Sequence, residues 1–107
     1  MAYNEDLDSR LEAIAGAWGA TRKKMFGGTC YLLAGNMMAG VYKDSLILRL
    51  DKQAGAAALL LPGVHPFDIT GHPMAGWLMV EADGLDDASL EDWLEQAHDF
   101  VLTLPPK

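Results

Sequence analysis

The segment RKKMFGGTCYLLAGNMMAG, residues 22–40, contains the hairpin that decides the fold class. Residues 25–33 are mostly apolar and end at Ala34, Gly35 and Asn36, which form a turn signal. A second apolar run, residues 37–42, comes directly after the turn. Two such runs joined by a short glycine-containing turn predict two antiparallel strands.

The first two helices are predicted from apolar spacing and from capping residues. In residues 5–18, apolar residues recur every three or four positions, and Asn4 precedes them as an N-cap. Residues 52–61 are rich in Ala and Leu, and Asp51 precedes them as a second N-cap. Both segments are therefore expected to be helical.

A third helix is expected near the C-terminus, over residues 89–104. Ser89 with Asp92 three residues later has the spacing of a capping box. Trp93 falls within the apolar stripe of this helix, which places it in the predicted core. Truncation of a core tryptophan costs about 3–5 kcal/mol of stability.

Three more strands complete the predicted order. Residues 46–50 alternate between two faces, and residues 67–70 and 77–82 are further extended segments. The order α-β-β-β-α-β-β-α predicts an α+β fold with a mainly antiparallel five-stranded sheet and packed helices. We expect one domain over residues 1–107, with its core at about residues 5–104.

The predicted strands are apolar on both faces, whereas a sheet with one wet face alternates polar and apolar residues. Either the helices divide between the two faces, or they leave part of one face to a second molecule. The second alternative predicts a homodimer or a protein partner.

Charge and cysteine content restrict the partners and the compartment. The net charge is −7, and eight acidic residues fall between positions 81 and 99. Such a field repels nucleic acid and anionic lipid, so direct DNA binding is disfavoured. The longest wholly apolar run, residues 56–62, is too short to span a bilayer, so no membrane span is expected. A weak nucleic-acid contact through Arg22, Lys23 and Lys24 is kept as an alternative. The single Cys30 and the absence of an N-terminal apolar signal segment predict a cytoplasmic protein.

The Gly-Gly box at Gly27 and Gly28 has two interpretations. A phosphate-binding loop needs a downstream Lys-Ser/Thr at the start of a helix, and this box leads into a strand instead. The favoured interpretation is structural: Phe26 packs, and the glycines let another segment, such as residues 71–76, come close.

No reaction centre is predicted from the cysteine, the histidines or the acids. Cys30, His65, His72 and His98 lack the paired spacing of a zinc site, and Cys30 lies in an apolar strand where an inert thiol is expected. The acids of the last helix are interpreted as a solvated face. We therefore expect no catalytic residue, metal or cofactor.

Arg49 is the only charged residue in the strand LILRL, residues 46–50. It is expected either to pair with an acid at the edge of the sheet or to bind an anionic group of a ligand or partner. The second interpretation predicts a pocket near the 71–77 loop. The candidate ligand- or partner-binding residues, box glycines included, are Met25, Phe26, Gly27, Gly28, Arg49, His72, Met74 and Trp77.

The motifs MFGG, GNM, LILRLD, GHPMAGW and LEDWLEQA, in this order over residues 22–100, resemble the N-terminal domain of the TfoX/Sxy family. The resemblance implies an α+β fold that is also seen in secretion chaperones, and a bacterial cytoplasmic protein. It further implies competence gene regulation through a partner transcription activator, with no known reaction. Full-length members have a second, helical domain; because this sequence ends at LPPK, we expect a stand-alone N-terminal domain.

The sequence supports two functional hypotheses. The first is a small non-enzymatic interaction or regulatory domain that forms a homodimer. The second is a small-molecule or anion-binding protein or enzyme that uses the pocket near Arg49.

Overall fold

The structure is a computed structural model, and it describes residues 4–25, 28–67, 76–82 and 85–106. Within these residues it contains three helices and six strands. In chain order they are α1 (Glu5–Ala17), β1 (Thr21–Met25), β2 (Gly28–Leu33), β3 (Asn36–Tyr42), β4 (Ser45–Arg49), α2 (Lys52–Ala58), β5 (Val64–Pro66), β6 (Trp77–Glu81) and α3 (Asp87–Val101).

The strands form one antiparallel sheet in the order β1-β2-β3-β4-β6-β5. The predicted α+β class is confirmed, but the sheet has six strands where five were predicted. The additional strand is β1, whose residues 22–24 are all basic and therefore gave no apolar strand signal. β1 is an edge strand, and lysine side chains on an edge discourage pairing with a further strand.

Several element boundaries also differ from the prediction, and three of them matter for the surface of the molecule. The short edge strand β5 spans Val64–Pro66, whereas residues 67–70 were predicted; of these, residues 68–70 lie outside the described residues. α2 ends at Ala58 and not at residue 61. α3 begins at Asp87, because the carboxylate of Asp86 accepts a hydrogen bond from the backbone N–H of Ser89 at 2.7 Å and caps the helix.

The predicted N-caps of α1 and α2 are confirmed. The side chain of Asn4 accepts from the N–H of Leu7 at 3.0 Å, and Asp51 accepts from the N–H of Ala54 at 2.7 Å. These bonds satisfy backbone donors that have no partner inside the helix. Local sequence therefore determines where both helices begin.

The core lies between one face of the sheet and the helices. Leu46, Leu48 and Leu50 point to this face and are buried, as are Leu11 of α1 and Leu94 of α3. The register places Ile47 of β4 on the opposite face, in a row with Cys30 of β2 and Met79 of β6. Helix packing in the described residues is thus concentrated on one face of the sheet.

α2 closely approaches the start of β6. A Cβ atom placed on Gly55 of α2 would lie 2.8 Å from the Cα of Gly76. Gly76 has a φ of 84°, a conformation that favours glycine, and its carbonyl accepts from the N–H of Leu50 at 2.7 Å. These contacts fix α2 at the end of β4 and leave a groove between α2 and α3.

None of the helices in the described segments is both long and apolar enough to cross a membrane.

Candidate functional site

The eight candidate binding residues do not form one cluster in the structure. Phe26, Gly27, His72 and Met74 lie outside the described residues. The backbone of Met25 pairs with Gly28 where β1 and β2 meet, and Arg49 pairs with Trp77 between β4 and β6. The two pairs belong to different parts of the sheet.

Gly28 and Arg49 lie at opposite ends of the sheet. Gly28 is next to the backbone of Val41 and Tyr42, and Tyr42 pairs with Ser45 at the start of β4. Arg49 is the last residue of β4. The structure therefore brings together Arg49 and Trp77 but not Arg49 and the Gly-Gly box.

The described half of the box has a structural use. A Cβ atom on Gly28 would lie 1.9 Å from the carbonyl oxygen of Val41, so only glycine allows this approach of β2 to β3. The segment that comes close to Gly28 is thus β3. The sequence had suggested residues 71–76; Gly76, the described member of that segment, approaches Leu50 and Gly55 instead.

Arg49 contacts aromatic rings. Its guanidinium carbon lies 5.2 Å from the ring centroid of Trp77 and 5.7 Å from that of Phe100 on α3. Both distances suit a cation–π interaction. Among the described residues no carboxylate lies within ion-pair distance of Arg49. The arginine therefore joins the end of the sheet to α3, and the expected acid partner is not found in this part of the chain.

A buried carboxylate joins α1 to the first two strands. Asp8 of α1 is 6% exposed. Its Oδ2 accepts from Nη2 of Arg22 at 2.6 Å, and its Oδ1 accepts from the hydroxyls of Thr29 at 2.8 Å and Tyr31 at 2.6 Å. We call Asp8, Arg22, Thr29 and Tyr31 the Asp8 cluster. No buried side-chain nitrogen or oxygen in the described residues is without a hydrogen-bond partner.

The Asp8 cluster shifts the pKa of its members. Burial acts to raise the pKa of Asp8, but the hydrogen bonds from Arg22, Tyr31 and Thr29 outweigh it and lower the pKa below its ordinary value. Burial, together with the neighbouring carboxylate, raises the pKa of Tyr31. At neutral pH the cluster thus contains an ionised Asp8 and a protonated Tyr31, and it faces the helix–sheet interface. It acts as a structural link and not as an acid–base pair in a cleft.

The basic stretch of β1 offers few charges to an anionic partner. Arg22 is committed to Asp8, and its Nε also lies 3.9 Å from a carboxylate oxygen of Glu12. Lys23 and Lys24 are exposed. Two lysines beside a chain of net charge −7 provide a weak electrostatic footprint for nucleic acid.

The cysteine and the two histidines that the structure describes lie on different elements. Cys30 is completely buried in β2, and burial raises the pKa of its thiol. His65 lies 2.7 Å from Glu81 at the surface, and the His98 ring stacks on Trp18 at 4.3 Å. The described residues contain no group of three His, Cys, Asp or Glu side chains placed to hold a metal ion.

A surface groove lies between α2 and α3. Its first part has a volume of about 510 Å³. Ala54, Ala57 and Ala58 of α2, followed by Leu61, form one wall, and Trp93 lies on the facing wall. Small alanine side chains on one side create the space, because a larger residue at these positions would fill it.

A second part, of about 500 Å³, continues the groove toward the end of β4. It shares Ala54 and Gln96 with the first part and reaches Leu50 and Phe100. Phe100 is also the ring that contacts Arg49. The two parts together are called the α2–α3 groove. The wall next to its first part ends in exposed leucines, of which Leu60 is 87% exposed and Leu61 50%.

The rim of the α2–α3 groove is acidic. Asp51 at the start of α2 and Asp92 and Asp99 on α3 line it and are exposed. The described residues that line it include no Lys, Arg or His. The groove thus combines an acidic rim with an apolar lining. We call this lining, made of the alanines of α2 and the aromatic side chains of α3, the floor of the groove.

The family model for the TfoX N-terminal domain matches residues 12–101, which span the second part of α1, the whole sheet, α2 and α3. The chain belongs to the TfoX N-terminal domain family. The comparisons with curated proteins and with solved structures found no match.

In this TfoX N-terminal domain, the sequence reasoning missed the α2–α3 groove. Trp93 was assigned to the core from its position in the apolar stripe, but it is only half-buried and lines the groove. Leu59, Leu60 and Leu61 were assigned to α2 and are exposed beyond its end. One signal was present: three consecutive leucines cannot all face one side of a short helix.

Proposed function

We propose that this TfoX N-terminal domain is a non-enzymatic protein-interaction domain with a regulatory role of the competence-regulator type. The main support for the proposal is the α2–α3 groove, because an apolar groove next to exposed leucines is typical of a protein contact surface. Family membership supports the regulatory part of the proposal. A cytoplasmic setting is part of it, and a sequence with one cysteine, Cys30, which cannot form a disulfide within the chain, supports a reducing compartment.

Site-specific photocrosslinking in the cells that express the chain tests this proposal. A photoreactive amino acid at Ala57, which is exposed in the groove, should give a discrete adduct with a protein that mass spectrometry identifies. The same probe at Glu95, which is exposed on α3 outside the groove, is the matched control. Equal adducts from both positions, or none from Ala57, would contradict the proposal.

We also propose that the chain forms a homodimer through the sheet face opposite the helices. Leu32, Met37, Trp77 and Met79 are half-buried, and the register places them on this face. Apolar side chains that stay partly exposed on a sheet favour association with a second copy. Light scattering over a concentration series should give the mass of a dimer, and Met79→Lys should shift it toward the monomer. A monomer at every concentration would refute the homodimer.

A further inference from the structure

We propose that the α2–α3 groove binds a cationic amphipathic helix of a partner protein. The inference rests on the proposed interaction function and specifies the chemistry of the partner. It follows from three properties of the groove: its shape, its floor and its charge.

The shape favours a helix over an extended peptide. The walls are the side chains of α2 and α3, whose backbone groups are hydrogen-bonded within the helices, so the groove offers no strand edge to pair with. The groove follows α3 from Ser89 and ends beside Thr103, two residues after the helix. This distance corresponds to about 21 Å, or about 14 residues of a helix lying along it.

The floor favours apolar side chains at helical spacing. Ala54, Ala57 and Ala58 leave room for leucine-sized anchors, and Trp93 and Phe100 provide large apolar surfaces along the facing wall. A helix that presents apolar residues every three or four positions would place successive side chains along this floor.

The rim selects positive charge. Asp51, Asp92 and Asp99 flank the floor, and no basic described residue lines the groove to neutralise them. Lysine and arginine at the borders of the apolar stripe of a bound helix would lie opposite these carboxylates. Complementary charge of this kind raises the association rate and excludes acidic partners.

The charge also argues against a second copy of this chain in the groove. Its two long helices carry acids on their exposed surfaces, including Glu5 and Asp6 on α1 and Glu91 and Glu95 on α3. Arg10 of α1 is already bonded to Leu85 and Asp87. Docking either helix of a second copy would oppose like charges, so the partner is a different protein.

Peptide binding tests the inference directly. The probe is a fluorescently labelled synthetic helix of about 18 residues made of Leu and Lys at helical spacing. The control peptide has Glu in place of Lys. Fluorescence anisotropy should show saturable binding of the Lys peptide that weakens with salt, and no binding of the Glu peptide. Binding of both peptides, or of neither, would overturn the inference.

Two matched charge variants separate the groove from the general negative field of the protein. Asp92→Lys/Asp99→Lys changes the rim, whereas Glu91→Lys/Glu95→Lys makes the same charge change on the part of α3 outside the groove. The rim variant should raise Kd by about tenfold or more, and the control variant should raise it by about threefold or less. Equal losses would show that only net charge is sensed and would overturn the inference.

Ala57→Gln tests the floor without a change in charge. Ala57 is exposed on α2, and glutamine is a good helix former, so the fold should be retained and thermal unfolding can check it. The longer side chain should obstruct the groove and raise Kd by about fivefold or more. An unchanged Kd would contradict binding in the groove. If Ala57 crosslinks a protein in cells but the Lys peptide does not bind, the partner chemistry is wrong and the interaction function stands.

Discussion

Replacing Asp8 by alanine is expected to lower the free energy of unfolding by about 2–4 kcal/mol. The substitution removes the acceptor for three side chains at once, because Arg22, Thr29 and Tyr31 all donate to the Asp8 carboxylate. Thr29 and Tyr31 are almost completely buried, so their hydroxyls have little access to water as a replacement acceptor. Chemical denaturation at pH 7 measures the loss.

Asp6→Ala is the matched control. Asp6 also lies in the first turn of α1, so both variants remove an acid that interacts favourably with the helix dipole. Asp6 is exposed, and its replacement should change stability by about 0.5 kcal/mol or less. If the two variants lose the same stability, the Asp8 cluster contributes nothing beyond the dipole interaction.

The stabilisation by Asp8 should depend on pH in one direction. Its pKa is lowered in the folded protein, so between the folded and unfolded values the unfolded chain binds more protons. The contribution is therefore complete above the unfolded pKa of about 4 and declines as pH falls through the lower, folded value. Denaturation of the wild type and of Asp8→Asn at pH 7 and pH 3 should give a smaller difference at pH 3. A difference that grows at pH 3 would contradict the assigned shift.

Replacing Leu94 by alanine should cost about 2–5 kcal/mol, because it removes buried methyl groups and leaves a cavity. Leu94 is 0% exposed and packs in the core between α3 and the sheet. For a domain with a total stability of about 5–15 kcal/mol, the loss should lower Tm by about 10 °C or more. Calorimetry measures this shift.

Leu102→Ala provides the control with the same chemical change. Leu102 directly follows α3 and is 61% exposed, so its truncation should change stability by about 0.5 kcal/mol or less. Equal losses at Leu94 and Leu102 would mean that the core is not where the structure places it.

Trp93 shows why a helical stripe was an incomplete guide to the core. It lies one residue before Leu94, and both belong to the apolar stripe of α3. The structure buries Leu94 against the sheet. Trp93 lies at the edge of that contact, and the groove separates it from α2. Periodicity gives the apolar side of a helix, but the neighbouring elements decide how much of that side is covered.

The sequence by itself determined the local features of this protein. The N-caps at Asn4 and Asp51, the turn after β2 and the burial of Cys30 follow from the residues and their immediate neighbours, as does the α+β class. Each depends on interactions within a few positions along the chain or on the composition of a single segment.

Only the tertiary structure decided which distant residues meet. The arrangement of the strands separates Gly28 from Arg49. Arg22 meets Asp8 of α1 because it lies on β1, a strand that was not predicted from the sequence. The contact of Gly55 with Gly76 holds α2 at the start of β6, and the α2–α3 groove lies between α2 in this position and α3. Strand pairing and helix placement depend on contacts between segments far apart in the chain, and a local sequence pattern does not predict these contacts.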